Sequence, residues 1–383
     1  MNQYVLLTGG KNNSGDFLIK HRAKELLSRL RPDREIVDYD GWKPLTPEQI
    51  DVINASKALL LTGGPALQEK MWPVIYPLTE NLDAIRVPVI LMGTGWKSVD
   101  GSWQASYDYP LSDSTLALLK KIEGSGYLSS VRDYHTMNVL FHRGFKRVLM
   151  TGCPALYSYQ HLKKPLSYPE AVQNVSFSMG VSFVQNEGME RSMKDTLLRL
   201  KKYFAGQNFK VIFHHSLNSD VFNQAYNGNE LFAVRHAQMA EWLKKNEINF
   251  LDISGSAEKM FEHYSQCDLH IGYRVHAHIL MNSISKPSIL LNEDGRGKAL
   301  KEVIGGLIFD AYRYTKSGQD FFSKVSRRLG RRIQPMTADT ELPQNLISHL
   351  EYEMKHHYPR VSQARHNIDR HFSQMEKFAK QLP

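Results

Sequence analysis

Arg274 and His276 stand two residues apart in the stretch Gln266–Leu291, QCDLHIGYRVHAHILMNSISKPSILL. Together they have the means to hold an anion and move a proton. The arginine offers a planar fork of donors suited to a carboxylate or a phosphate. The histidine exchanges a proton near neutral pH. His278 follows Arg274 by four residues, which predicts a shared helix face. Leu269–Gly272 reads as a strand, the residues after Val275 as a helix, and Ile289–Leu291 as a second strand. Strand, turn, helix and strand in under thirty residues predict a βαβ unit of a parallel sheet. Ligands of such sheets sit beyond the carboxyl ends of the strands, where Arg274 and His276 fall. The amino terminus of the helix adds unpaired N–H groups and partial positive charge.

The same design recurs upstream. Tyr4–Leu7 is a predicted strand, residues 8–16 form the glycine- and amide-rich loop TGGKNNSGD, and Phe17–Leu30 has a helical apolar face. This loop matches neither the dinucleotide nor the P-loop pattern. Asp16 is placed there as a helix cap or as a base. Strands are predicted at Ile36–Tyr39, Ala58–Thr62 and Val87–Met92, the last two ending in Gly63-Gly64-Pro65 and Gly93-Thr94-Gly95-Trp96. Arg132 follows the strand Tyr127–Val131, a cation just before a helix, as Arg274 is; the alternative is a simple pair with Asp133.

Those elements imply two halves. A Pro- and Lys-rich linker spans Tyr157–Asn174, after which strands are predicted at Val175–Val184, Val211–Phe213 and Phe250–Ile253 with helices between. We therefore expect an α/β protein of two Rossmann-like, GT-B-like domains whose parallel sheets face an interdomain cleft. The expected units are residues 1–160, residues 175–315, and a basic, mostly helical extension over 316–383.

The chain has 383 residues and a formal net charge of +9, which favours anionic partners. Five basic residues and no acidic one lie between Lys324 and Arg332, a solvated helix face or a peripheral membrane contact. No nucleic-acid motif is present, so no nucleic-acid partner is expected. Cys153 and Cys267 are far apart, which points to a reducing cytoplasm, with peripheral contact at the inner membrane face as a further expectation. No run is apolar enough to span a bilayer. A metal site drawn from His214, His215, His276 and His278 is conceivable, although adjacent histidines on a strand face opposite ways. No metal or cofactor is expected.

The order of the motifs resembles the polysaccharide pyruvyl transferases over roughly residues 8–305. The likeness rests on Asn13-Ser14-Gly15-Asp16, Gly63-Gly64, Val131-Arg132-Asp133 and the Arg274-x-His276 stretch. Where that family often carries an aspartate before a proline closing the first half, this chain has Cys153. The resemblance implies transfer of pyruvate from phosphoenolpyruvate onto two hydroxyls of a saccharide as a cyclic ketal. It further implies that Arg132 and Arg274, one from each half, clamp phosphoenolpyruvate with help from Asn13, Gly15, Gly63, Gly64 and Lys298. His276 would be the general acid/base and Asp16 a second candidate, with His278, Glu293, Asp294 and His214 completing the site. Two other readings stay open: a nucleotide-sugar glycosyltransferase, with Ser254–Glu258 near the base, and a glycan- or anion-binding protein without turnover.

Overall fold

The computed structural model describes residues 1–9, 13–225, 230–314 and 336–383. Strands β1 (Gln3–Thr8), β2 (Glu35–Asp40), β3 (Ala58–Thr62) and β4 (Val89–Met92) form a parallel sheet in the order β2-β1-β3-β4. The parallel pair β5 (Ser129–Val131) and β6 (Val148–Met150) continues it past β4. The join is the Gly93 amide, which donates to the Ser130 carbonyl at 2.9 Å, with a bridge between Thr94 and Val131. All of β1 and β3 is buried. That is why they read as unbroken apolar runs: helices cover both faces.

The second sheet contains β7 (Asn174–Ser178), β8 (Asn208–Phe213), β9 (Asn249–Asp252), β10 (Leu269–Gly272), β11 (Ser288–Asn292) and β12 (Leu307–Asp310). Its order is β12-β11-β10-β7-β8-β9, all parallel. The chain enters in the middle at β7, winds outward to β9, then returns to β10 on the other side. A crevice opens beyond the carboxyl ends of strands where such an order reverses, here β7 and β10. In the first sheet the reversal falls between β1 and β3.

Val175–Val184 is expected as one strand, but β7 stops at Ser178. The Glu293 carboxylate accepts from the Val181 and Ser182 amides, each at 2.9 Å, and draws the chain into a turn. The short β12, which follows Gly305-Gly306, is absent from the sequence reading. After β13 (Tyr312–Tyr314) and its antiparallel partner β14 (Met336–Ala338), helix Leu342–Lys355 packs on helix Glu187–Tyr203. Helix Pro359–Lys380 then returns to the first half, where Met375 and Phe378 enter its core. The basic stretch Lys324–Arg332 lies outside the described residues. Among the described residues, no helix is long and apolar enough to cross a membrane.

One apolar core unites the first sheet with Met260, Ala277 and Leu280 from helices of the second half, so the two halves meet over packed side chains. Arg365, on the returning helix, is 3 % exposed and donates to the Asn282 and Ser283 carbonyls at 3.1 and 3.2 Å while pairing with Asp369. It thus ties off the carboxyl end of helix Val275–Ser283. Replacing Arg365 with Met should lower the unfolding free energy by about 2–3 kcal/mol, since both carbonyls and the carboxylate lose a charged partner. Urea unfolding measures it, and an unchanged midpoint would refute the tie.

Candidate active site

Helix Ser14–Leu30 starts at the reversal of the first sheet and helix Val275–Ser283 at that of the second. The two beginnings touch. Asn13 caps the first helix: its Oδ1 accepts from the Gly15 amide at 3.3 Å and from Arg274 Nη2 at 3.0 Å, and its Nδ2 donates to Asp16 Oδ2 at 3.1 Å. Ser14 Oγ donates to the Ile253 carbonyl at 2.7 Å, bolting the same turn to the other half. Gly15 lies against the His276 ring, and a Cβ there would sit 2.1 Å from Nδ1. Only glycine allows this approach.

Arg132 enters from β5. Its guanidinium donates to Asp133 at 3.3 Å and to the Trp96 carbonyl at 3.2 Å, and it lies flat on Gly95, where a Cβ would fall 1.9 Å from Nε. Arg132 pairs with Asp133, and its charge also acts on Asp16 and His276. A third arginine, Arg296, stands in the first turn of the helix after β11. Asp294 caps helix Gly295–Ile304, and its carboxylate takes Arg296 side-chain donors at 2.6 to 3.0 Å. Sequence reasoning passed over Arg296, although it obeys the rule that singled out Arg132 and Arg274: a cation where a strand gives way to a helix.

All three guanidinium charges act on Asp16 and on His276. Burial raises the Asp16 carboxyl above its ordinary range, against the pull of the Asn13 hydrogen bond and of Arg296, Arg274 and Arg132. Burial also drives His276 well below its ordinary value, and Arg132, Arg296 and Arg274 push it further the same way. His276 Nε2 is buried without a partner. A carboxyl inclined to keep its proton beside an imidazole inclined to be without one is an acid and base pair set apart by environment. Asp16 also lines a cavity of about 170 Å³ at the β1/β3 reversal, with Thr8, Gly63, Gly64, Gln68 and Tyr76.

The backbone of Arg274 is held from behind. Its amide donates to Ser178 Oγ at 3.0 Å, close to Gly272, whose φ of +146° and contact with Ser178 leave no room for a Cβ. Behind Ser178 runs a buried chain: His270 Nε2 to Ser178 at 2.8 Å, His270 Nδ1 to Ser288 at 2.7 Å, Ser288 to His278 Nδ1 at 2.7 Å. Asn282 Nδ2 donates to His278 Nε2 at 3.2 Å. An amide nitrogen only donates, so with His278 neutral its proton is on Nδ1. That proton goes to Ser288, the Ser288 hydroxyl to His270 Nδ1, and the His270 Nε2 proton to Ser178. Every direction is fixed, and the chain ends on the residue that holds Arg274.

Four expected site residues are occupied elsewhere. His278 belongs to that internal chain. Glu293 holds the turn after β7. Lys298 donates to the Asp100 carbonyl at 2.8 Å and lies over the Tyr312 ring, joining loops of the two halves. His214 is a near neighbour, within the fields of Arg274 and His276, but its Nε2 is engaged by the Tyr264 hydroxyl at 2.8 Å. Both ring nitrogens of His278 are engaged, while His214 Nδ1 is buried without a partner; among the described residues no three His, Cys, Asp or Glu gather as metal ligands.

A family model for polysaccharide pyruvyl transferases matches residues 13–294, beginning at the Asn13 cap and ending at Asp294. The chain belongs to the polysaccharide pyruvyl transferase family. No curated protein matches it significantly. Among solved structures it is similar to UDP-GlcNAc 2-epimerase from Neisseria meningitidis, at 10% identity and a TM-score of 0.47 over 95% of this chain and 93% of that one. The corresponding enzyme of Methanocaldococcus jannaschii gives 10% and 0.44 over 91% and 99%. The wall teichoic acid polymerase TagF gives 10% and 0.39 over 98% and 89%.

Four buried histidines and the partly buried His215 should set the acid limit of stability. His214, His215, His270 and His276 lie well below the ordinary histidine value and His278 falls to about 3, burial being the first cause for each. The unfolded chain titrates near ~6.5 and takes up protons that these groups refuse. Stability should therefore be level above about pH 7 and fall as the pH drops below ~6.5. Asp16 works in the opposite sense, favouring the fold below its raised value, but one carboxyl faces five imidazoles. Melting temperatures from pH 7.5 to 5 test this; a flat profile would show the histidines to be ordinary.

Proposed function

We propose that this protein transfers the pyruvate unit of phosphoenolpyruvate to two hydroxyls of a saccharide, closing a cyclic ketal and releasing phosphate. The observation that carries this is Asn13, whose one amide holds both Arg274 and Asp16, with Gly15 packed against His276 and the charges of Arg132 and Arg296 acting on both groups. Phosphoenolpyruvate is a small ion bearing carboxylate and phosphate. Several arginines in a partly buried site match its charge and the paired oxygens of its carboxylate and phosphate. The family resemblance supports this donor, and the arginines offer it positive charge.

Asp16 is the acid in this reading. Its proton goes to the methylene carbon of the enol, leaving electron demand at the carbon that bears phosphate. His276, unprotonated, takes the proton of the first attacking hydroxyl. Phosphate leaves as the second hydroxyl closes the ring, and the proton of that hydroxyl departs with phosphate. The two hydroxyl protons thus end on the new methyl group and on phosphate, with the histidine and aspartate restored by exchange. The cavity beside Asp16, walled by Gly63, Gly64, Gln68 and Tyr76, seats the reacting sugar. The acceptor is a polymer or a precursor unit.

Purified protein incubated with phosphoenolpyruvate and a panel of saccharides should release phosphate and add one pyruvate less one water to an acceptor. Stabilisation of the fold by UDP but not by phosphoenolpyruvate would instead favour a glycosyltransferase. His276→Asn should reduce kcat about 10²–10⁴-fold. Arg296→Gln should lower kcat/KM for phosphoenolpyruvate about 10²–10³-fold, as expected for loss of a preorganised charge; full activity in that variant would remove Arg296 from the site. The rate should fall as pH rises through the raised value of Asp16, and Asp16→Asn should abolish turnover rather than move that limb.

A further inference from the structure

A larger cavity, about 380 Å³, lies at the far ends of the same two helices. Helix Ser14–Leu30 presents Asp16 to the active site and Arg22 and Glu25 to this cavity; at ~1.5 Å per residue, Arg22 lies about 9 Å further along the axis. Leu280 comes from later in helix Val275–Ser283, and Ile284 and Lys286 follow it. Phe261 and the segment joining the halves close the rest. The walls come from both halves, so an occupant bridges them.

The lining has one outstanding demand. The Arg22 side chain is only 8 % exposed. Its Nη1 pairs with Glu25 at 2.6 Å, its guanidinium carbon lies 4.9 Å from the Phe261 ring centre, and its Nε is buried without a partner. Five donors in a fork are more than one carboxylate oxygen satisfies. Lys286 adds a second positive charge, with its ammonium donating to the Ser265 and Cys267 carbonyls. Burial holds His21 and His161, which also face the cavity, below their ordinary values, so they stay uncharged at neutral pH. Two cations against one carboxylate leave a single positive charge over an apolar floor of Phe261, Leu280 and Ile284. The volume is that of a small-molecule site.

We propose that this cavity binds a small amphipathic anion, its carboxylate or phosphate monoester on Arg22 and a planar apolar body against Phe261. The site is distinct from the one that takes phosphoenolpyruvate and does not depend on that assignment.

Titration calorimetry on the full chain with 1-naphthoate, 1-naphthyl phosphate and uncharged 1-naphthalenemethanol tests it. At least one anion should bind at one site per chain, at least about tenfold tighter than the alcohol, the margin expected of hydrogen bonds to a charged group. The tighter anion identifies the head group the site prefers. Arg22→Gln should reduce anion binding to the level of the alcohol. Gln160→Trp, at an exposed position on the rim, should block it without touching the core, so the test survives if the Arg22 variant misfolds. Arg274→Gln should leave it intact. The proposal is overturned if no anion binds, if the alcohol binds as tightly, if Gln160→Trp binds as wild type, or if Arg274→Gln removes the binding and so assigns it to the active cleft.

Discussion

The structure turns on how three arginines, two buried and one partly buried, are neutralised. Arg132 has Asp133 and Arg296 has Asp294, each a carboxylate at hydrogen-bonding distance. Arg274 is only 6 % exposed, and its guanidinium donates to the neutral amide oxygen of Asn13. Burying a charge against a dipole alone is expensive. A carboxylate in place of Asn13 would satisfy Arg274 and close the site to anions. An amide orients the fork and leaves its charge to be met by whatever enters. The same amide donates to Asp16, so the residue that aims the cation also aims the acid.

Holding that arrangement requires a rigid back wall, and the wall is polar. From Asn282 through His278, Ser288 and His270 to Ser178, each group has one permitted proton direction. Such a network is stable only when every member is satisfied. Its histidines are valuable because they are neutral: a charge on His270 or His278 would be fully buried and would break the fixed order of donors and acceptors. Low pH therefore strikes the site and the fold together. Packing adds the second constraint, since Gly15 under His276 and Gly95 under Arg132 fix how closely each ring or fork approaches.

Much of this was legible in the chain because the rule is local. Arg132, Arg274 and His276 each stand within four residues of a strand end, Asp16 lies in the first turn of the helix that follows β1, and parallel sheets gather strand ends on one edge. Arg296 obeys the same rule but follows an aspartate by two residues, so it read as one more charge in the charged turn after β11. His278 was misplaced for a definite reason. Spacing of four brings side chains together only within a helix, and Arg274 is the cap residue, outside the helical turn that His278 belongs to. Lys298 and Glu293 look like site groups by type. The tertiary contacts that claim them, Asp100 and the turn after β7, lie 198 and 111 to 112 residues away and have no local signature. The early end of β7 has the same origin.

The helix starts carry the argument one step further. Helices Tyr134–His142 and Gly295–Ile304 are capped by Asp133 and Asp294, which answer the positive end of each helix in the usual way. Helix Val275–Ser283 has Arg274 in that position and no side-chain cap. A cation at a helix amino terminus is unfavourable by about 0.3–1 kcal/mol, and the leading amides are left without the acceptor a cap would supply. Nothing in the folding of this helix calls for that choice, since Ser or Asp would start it better. The local rule is broken where an anion would repair it, supplying at once the acceptor for the amides and the counterion for Arg274. On the proposed reading, relief of that misfit is one part of what an anionic ligand gains at the R-x-H stretch.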